Sequence, residues 1–273
     1  MPRHSLQPFP SITRLRVILP FLLLPLVFTG CFLRPHDADQ YTVEGFDVSR
    51  YQATIDWERV SEARQDFVFI KATEGRTLRD PQFLTNWFGA ERSGVRRGAY
   101  HFFRPGVDPG EQARLYFSTV ELQPGDFPPV LDIEKTGGLS SRELVKRAKQ
   151  WLTLVELRYG VKPILYTGQN FYNRHLAGQF DDYPLWLARY DHEQPVTVCG
   201  RTFQFWQYSD RGRVRGVKGR VDRNVFTGTA EEWEGLSIPA QDQPSDAPRD
   251  LDLVPISAEP NPNAAEDLAD FQF

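Results

Sequence analysis

The sequence predicts a single α/β domain built as a (β/α) barrel of the TIM type. Three observations favour this class. Short apolar runs alternate with segments of helical spacing throughout residues 40–238. The apolar runs are continuous rather than alternating, which is typical of parallel strands that are covered on both faces. Seven such units in so short a stretch fit one barrel better than two small domains, and no internal repeat is visible.

The strands are expected where short apolar runs are bounded by turn residues. In chain order these runs are 43–48, 67–72, 97–103, 128–133, 162–167, 184–188 and 203–208. A last strand is expected at VDRNVF (221–226), which follows a basic, glycine-rich loop.

The helices are expected between these strands, at 55–65, 80–93, 109–121 and 140–159. The last of them has the clearest period, because one face collects Leu144, Ala148, Trp151, Leu152 and Val155. Ser140 or Ser141 can cap its start and Gly160 can end it.

The charge is distributed unevenly along the 273 residues, which carry a formal net charge of −4. Residues 1–30 hold three Arg and no acid, the body (40–238) is nearly neutral, and residues 239–273 hold eight acids and one Arg. This balance argues against nucleic acid as a partner. With only two Cys, the chain is neither a disulfide scaffold nor a Cys-only zinc protein.

The first 30 residues predict export. Arg14 and Arg16 precede an apolar run, VILPFLLLPLVF (17–28), and Thr29-Gly30-Cys31 follows it. The Cys resembles that of a bacterial lipobox, so we expect lipidation at Cys31; ordinary cleavage and an uncleaved membrane anchor are the alternatives. All three alternatives place the body in the cell envelope, outside the cytoplasm. Lipidation and an uncleaved anchor would also attach it to a membrane, facing the periplasm or the wall.

Two other segments flank the barrel, which we place at 43–238. Residues 31–42 are expected to form a linker. The tail, 239–273, is rich in Pro and acids without a sustained period, which predicts disorder. We expect the protein to be a monomer.

Polar residues occur where the predicted strands end, and in a parallel barrel these ends share the face that carries the chemistry. They are Asp47, Lys71, Glu74, His101, Asp132, Glu134, Tyr166, Arg189, Gln207 and Tyr208.

The sharpest local motif is Asp132-Ile-Glu134 at the end of an apolar strand. Side chains two apart on a strand point the same way, so the two acids share one side. Like charges placed close together raise the proton affinity of at least one of them. Glycoside hydrolysis needs such a pair, one acid to protonate the leaving oxygen and one carboxylate to stabilise the reacting centre. A metal site and two solvated acids are the alternatives.

Two more acids lie in the first and last strands of the predicted barrel. Asp47 ends the first strand and Asp222 lies in the last, and these strands are neighbours in a closed barrel. Aromatic rings accompany the same strand ends, and rings beside carboxylates suit a sugar. They are Tyr100, Phe102, Phe103, Tyr166, Trp186, Tyr190, Trp206 and Tyr208.

Taken together, these motifs resemble the glycoside hydrolase family 25 lysozymes, the Chalaropsis-type N-acetylmuramidases. The similar stretches are GFDVSRYQ (45–52), IDW (55–57), FVFIKATEG (67–75), GAYHFFRP (98–105), PVLDIE (129–134), ILYTG (164–168), PLWLARY (184–190) and FQFWQYSDRGRVRGVKGRVDRNVF (203–226). The resemblance covers about 43–228. It implies an irregular, flattened (β/α) barrel and cleavage of the β-1,4 bond from N-acetylmuramic acid to N-acetylglucosamine in peptidoglycan.

The resemblance also implies roles. Glu134 matches the general acid and Asp132 the carboxylate that supports the reacting centre, where it can orient the substrate's 2-acetamido group. Asp47 and Asp222 match two further acids of the cleft. Four more positions match substrate contacts, namely Tyr100, Tyr166, Trp186 and Gln207.

Neither a metal nor a cofactor is implied, and the five His have no ligand spacing. A non-catalytic peptidoglycan-binding module and a hydrolase of another N-acetylhexosamine polymer, such as chitin, are the alternative functions. The sequence departs from the family pattern at Arg50-Tyr51 and Arg189, which predict a more cationic and bulky cleft rim.

Overall fold

Eight strands close into a barrel in the computed structural model, which describes residues 36–240. The strands are β1 (Glu44–Val48), β2 (Phe67–Glu74), β3 (Leu78–Arg79), β4 (Arg96–Phe102), β5 (Val130–Asp132), β6 (Ile164–Gly168), β7 (Leu185–Ala188), β8 (Phe205–Gly212) and β9 (Val221–Phe226). The helices are α1 (Trp57–Glu62), α2 (Phe83–Arg92), α3 (Pro109–Phe117), α4 (Ser141–Tyr159), α5 (Gln169–Phe171), which continues as a π-helical turn (Tyr172–Leu176), and α6 (Ala230–Gly235). The signal or anchor segment, Cys31 and nearly all of the predicted tail lie outside the described residues.

The predicted barrel is confirmed, with one difference in strand direction. The sheet order is β1-β9-β8-β7-β6-β5-β4-β2, pairing of β1 with β2 closes it, and β3 extends β2 at its side. Neighbours are parallel except at β9, which is antiparallel to both β8 and β1. Only eight residues connect β8 to β9, and a connection that short forms a hairpin, because a parallel crossover needs a dozen or more. An all-parallel sheet was therefore the wrong expectation for this strand.

The helix predicted most clearly is confirmed in its caps and its buried face. The Ser140 side chain accepts a hydrogen bond from the Glu143 backbone N–H at the start of α4. Gly160 ends the helix in the left-handed region, at φ 72°. The apolar face predicted from the sequence is fully buried against the barrel.

Aromatic rings fill the inside of the barrel. Phe67 and Phe69 point inward from β2, whereas Val68 and Ile70 pack outward beneath the helices. Phe69 stacks on Trp186 with ring centroids 4.4 Å apart. The polar residues at the carboxyl ends of the strands lie directly above this packed interior.

The segment before β1 packs on the barrel. Residues of the predicted linker form a 3₁₀ turn (Asp37–Gln40), and the Asp37 N–H donates to the His192 carbonyl at 2.9 Å. Ala38 is buried in a small cluster with Trp206 and Val225. Within residues 36–240, no helix has the length and hydropathy that a membrane crossing requires.

Candidate active site

A pocket opens at the carboxyl ends of the parallel strands, with a cavity volume of about 220 Å³. It brings together all eight residues that the sequence analysis assigned to catalysis or substrate binding. Its lining consists of Asp47, Val48, Ser49, Tyr51, Gln52, Lys71, Tyr100, Phe102, Asp132, Glu134, Tyr166, Trp186, Gln207 and Asp222.

Asp132 and Glu134 enter the pocket from the same side of the chain, as the strand alternation predicts. Ile133 between them is fully buried and packs outward. Asp132 is the last residue of β5 and is only 5% exposed. Its Oδ1 atom has no hydrogen-bond partner among the described residues. Glu134 lies just past the strand, where its side chain is open to solvent at the pocket mouth.

Both carboxyl groups bind protons more tightly than usual. Burial, and then the nearby Glu134 charge, raise the pKa of Asp132 well above its ordinary value. The pocket walls partly exclude water from the Glu134 carboxyl, and this desolvation raises its pKa. A hydrogen bond from Tyr166 and the charges of Lys135 and Lys71 oppose that rise. The pair therefore holds a proton more readily than two solvated acids would.

Asp47 and Asp222 meet across the seam, as predicted, because they are register partners on β1 and β9. Each carboxyl group lies close enough to the other to change its proton affinity. Burial and the Asp222 charge raise the pKa of Asp47 well above its ordinary value. The pKa of Asp222 rises to about 6 through burial and the charge of Asp210.

A hydrogen-bond network beneath the pocket holds Asp47. Its Oδ2 accepts from the side-chain amides of Gln207 and Asn224, each at 2.8 Å. The Trp186 indole N–H donates to Asn224 Oδ1 at 2.9 Å. The Tyr166 hydroxyl donates to Gln207 Oε1 at 2.7 Å. Trp186 and Gln207 are each only 2% exposed, so they form the floor of the pocket rather than its rim.

The sequence analysis missed Asn224 and Tyr190 as parts of this network. Asn224 is fully buried, and its spacing of two from Asp222 on β9 was the signal that could have revealed it. Tyr190 was noted only as a ring, yet its hydroxyl donates to Gln207 Oε1 at 2.6 Å.

A cation also reaches the pocket from β2, because Lys71 is the next inward position after Phe67 and Phe69. In a regular strand, Glu74 would point to the opposite face from Lys71. The register between β2 and β4 shifts between Lys71 and Thr73, and this bulge brings the Glu74 carboxylate to 2.6 Å from the Lys71 ammonium. Arg104 Nε donates to the same carboxylate at 2.9 Å. The positive charge of Lys71 lowers the pKa of both Asp132 and Glu134 relative to a pocket without it.

Four predicted strand-end residues do not line the pocket, and one of them is Glu74, the partner of Lys71. His101 is fully buried between Thr73 and Gln112, and burial lowers its pKa to about 4, so it is neutral and structural. The Arg189 guanidinium is paired with Asp191 and Glu193 instead. The fourth, Tyr208, packs in the cluster that includes Trp206. Among residues 36–240, no group of His, Cys, Asp and Glu side chains is arranged to hold a metal ion.

Comparisons with known proteins agree with this architecture. The chain is 50% identical to protein YegX of Escherichia coli (strain K12) over 201 residues, 72% of this chain and 74% of that one. It is 35% identical to Lysozyme M1 of Streptomyces globisporus over 214 residues, 73% of each chain. The solved structure of a family 25 glycosyl hydrolase from Bacillus anthracis superposes with a TM-score of 0.69 at 32% identity, over 76% of this chain and 99% of that one. The model of the family "Glycosyl hydrolases family 25" matches residues 46–217, and the chain belongs to this family.

Proposed function

We propose that this pocket cleaves the β-1,4 bond between N-acetylmuramic acid and N-acetylglucosamine in peptidoglycan, with Glu134 and Asp132 as its reacting pair. One observation carries the residue assignment: a solvent-accessible carboxyl and a buried carboxyl leave one strand end on the same side. Lysozyme M1, a relative over most of the chain, supports the substrate.

Glu134 is the general acid in this proposal. A general acid must be accessible to the leaving oxygen and must still hold its proton near neutral pH. Glu134 lies at the mouth, and its raised pKa favours the protonated form that the second requirement needs. Substrate that covers the mouth removes water from the carboxyl and strengthens its hold on the proton further.

Asp132 supports the reacting centre. Asp132 lines the pocket that a sugar would fill, and its buried Oδ1 has no hydrogen-bond partner among the described residues. An acetamido N–H of the substrate, donating to the Asp132 carboxylate, favours the charged form of Asp132. Glu134 gives its proton to the leaving oxygen as the oriented acetamido oxygen attacks the anomeric carbon and the glycosidic bond breaks; water then opens the cyclic intermediate and returns a proton to Glu134.

Asp47 and Asp222 provide fixed negative charge and order beside that pair. Both bind protons more tightly than solvated acids, and the negative charge that they retain favours an oxocarbenium-like transition state. The amides of Gln207 and Asn224 hold Asp47 in place, so the charge does not reorganise during the reaction.

Muropeptide analysis tests the function. The purified protein is incubated with sacculi, and the soluble fragments are reduced and identified by mass. Fragments that end in reduced muramic acid are expected. Fragments that end in reduced glucosamine would contradict the assigned bond. Release from chitin alone would assign the other polymer, and binding to sacculi without release would assign the non-catalytic module.

The pH profile of Lys71→Met tests the electrostatics of the pair. Removing this cation raises the pKa of both Asp132 and Glu134. Because the acid must be protonated and its partner ionised, both limbs of the plot of kcat/KM against pH are expected to move to higher pH. Glu74 keeps Arg104 as a partner, so the fold should persist.

Lys146→Met, at an exposed position on α4, is the matched control and should leave the profile unchanged. A Lys71→Met profile identical to that of the wild type would show that Lys71 does not tune the pair.

Attachment to a membrane is part of the proposal and rests on the sequence of the leader. We expect Cys31 to carry the lipid, so that labelled palmitate is incorporated into the wild type and not into Cys31→Ala. Cys199→Ala should be labelled like the wild type. An unlabelled wild type would contradict lipidation and leave cleavage or an uncleaved anchor.

A further inference from the structure

The connection between β8 and β9 carries a concentration of positive charge that the reaction does not use. This basic hairpin, residues 211–220, holds five cations and no acid. All five are exposed, and they are Arg211, Arg213, Arg215, Lys218 and Arg220.

Three of these cations have no carboxylate partner among the described residues. Arg211 lies 3.5 Å from Asp210, and Arg215 lies 3.2 Å from Glu62. No ion pair within residues 36–240 involves Arg213, Lys218 or Arg220. Unpaired like charges on one short loop repel one another, so their concentration opposes folding rather than helping it.

The hairpin is held at the edge of the pocket. The Gln52 side chain, which lines the pocket, donates to the Arg220 carbonyl at 3.3 Å. The Asp56 N–H donates to the Gly216 carbonyl at 2.9 Å. Val214 is buried in the core and anchors the backbone from beneath. The Arg220 end of the hairpin is therefore fixed beside the cleft, and Gly216 and Val214 fix the rest of its backbone.

The cations do not serve to neutralise the acids of the pocket. Asp222 is two residues from Arg220, but the influences on its pKa are burial and other carboxyl groups, and no cation is among them. No cation is among the influences on the pKa of Asp47 either. The charge of the hairpin is consequently available to a ligand that lies along the rim.

We propose that Arg213, Lys218 and Arg220 form a subsite for the carboxylates of the peptide stems on peptidoglycan, so that the enzyme prefers peptide-bearing strands to bare glycan. This inference rests on the proposed function. A strand that lies in the cleft projects its stems from the muramic acid residues outward to the rim, and those stems carry several carboxylates. Arg pairs with carboxylates in bidentate fashion, which suits this ligand.

An anionic lipid surface fits the position less well. A bilayer held by the hairpin would lie against the pocket mouth that the hairpin adjoins, and it would obstruct entry of a polymer. A stem carboxylate, in contrast, arrives with the substrate itself.

The test compares soluble, uncross-linked peptidoglycan strands with the same strands after an amidase has removed the stems. The full-length wild type is compared with the triple variant Arg213→Gln/Lys218→Gln/Arg220→Gln. A matched control, Arg92→Gln/Lys146→Gln/Arg158→Gln, removes three exposed helix cations that have no carboxylate partner within the described part of the chain. Initial rates give kcat/KM on each substrate.

We expect the triple variant to lose about fivefold in kcat/KM on peptide-bearing strands and little on bare strands, because each exposed ion pair contributes modestly. The control should keep the wild-type ratio between the substrates. The preference of the wild type should also decline as salt is raised.

An unchanged ratio in the triple variant, or an equal loss on both substrates, would overturn the stem subsite while muramidase activity stands. Hairpin-dependent binding to phosphatidylglycerol vesicles with an unchanged ratio would overturn it in favour of a membrane. A wild type that releases no reducing-end muramic acid from either substrate would instead refute the proposed function.

Discussion

Glu134→Gln is expected to lower kcat by about 10³-fold, within the range that a positioned general acid contributes. The amide has nearly the same shape as the carboxylic acid but cannot deliver a proton to the leaving oxygen. Glu134 is exposed at the mouth and supports no packing, so KM and thermal stability should change little. Initial rates on sacculi, together with a thermal melt, measure both quantities.

A substrate with an activated leaving group separates an acid from a structural residue. An aryl glycoside whose leaving group departs without a proton should be cut by Glu134→Gln at close to the wild-type rate. Glu58→Gln, an exposed change on α1, serves as the control and should keep full activity on both substrates. More than a tenth of the wild-type kcat on sacculi in Glu134→Gln would rule out the assigned role.

Asp132→Asn is expected to reduce kcat by about 10²–10⁴-fold while raising stability at alkaline pH. The amide cannot carry the charge that supports the reacting centre. It also removes an ionisable group that the fold disfavours when charged, since Asp132 is buried with one oxygen unpartnered. The activity and the stability of this site therefore oppose each other.

The sign of the stability effect follows from the raised pKa of Asp132. A carboxyl with a higher pKa in the folded state binds its proton more tightly when folded. Its contribution is complete below the unfolded pKa and is lost as the pH rises through the folded one. The wild type should lose stability across that window, and Asp132→Asn should not.

Chemical unfolding at several pH values measures this difference. At pH 8 the variant is expected to be more stable by about 1–3 kcal/mol, the usual cost of an unsatisfied buried polar group. Glu121→Gln, at an exposed position, controls for the loss of a carboxylate elsewhere. A variant that is less stable than the wild type at pH 8 would contradict the idea that burial of the Asp132 charge destabilises the fold. An unfolding free energy with the same dependence on pH as the wild type would contradict it as well.

Local patterns were sufficient for the elements and for most of the candidate site. Strand period alone placed Asp132 and Glu134 on one side, because side chains on a strand alternate whatever the rest of the fold does. Closure of the barrel placed Asp47 opposite Asp222, and the structure has them in register. The caps and buried face of α4 likewise follow from contacts within a few residues of sequence.

Features that depend on distant partners were missed or misjudged. Asn224 looks like an ordinary strand residue in the sequence. Only the folded structure shows that its side chain accepts a hydrogen bond from Trp186 and donates one to Asp47. His101 ends a strand like the acids do, but it alternates with Tyr100 and Phe102 of the pocket and so lies on the outer face, where the bulge in β2 brings Thr73 to it. Arg189 looked like a cation of the cleft rim, and its acidic neighbours in the same loop hold it away.

The sequence by itself determined the barrel, its family and the four carboxylic acids, because each depends on short-range period and on residue types within a motif. The tertiary structure decided the direction of β9, the hydrogen-bond network beneath Asp47 and the pairing of Lys71 with Glu74. It also decided that the hairpin cations stand beside the cleft. Proton affinity and charge pairing depend on burial and on neighbours that are remote in sequence, and only the closed barrel brings those neighbours together.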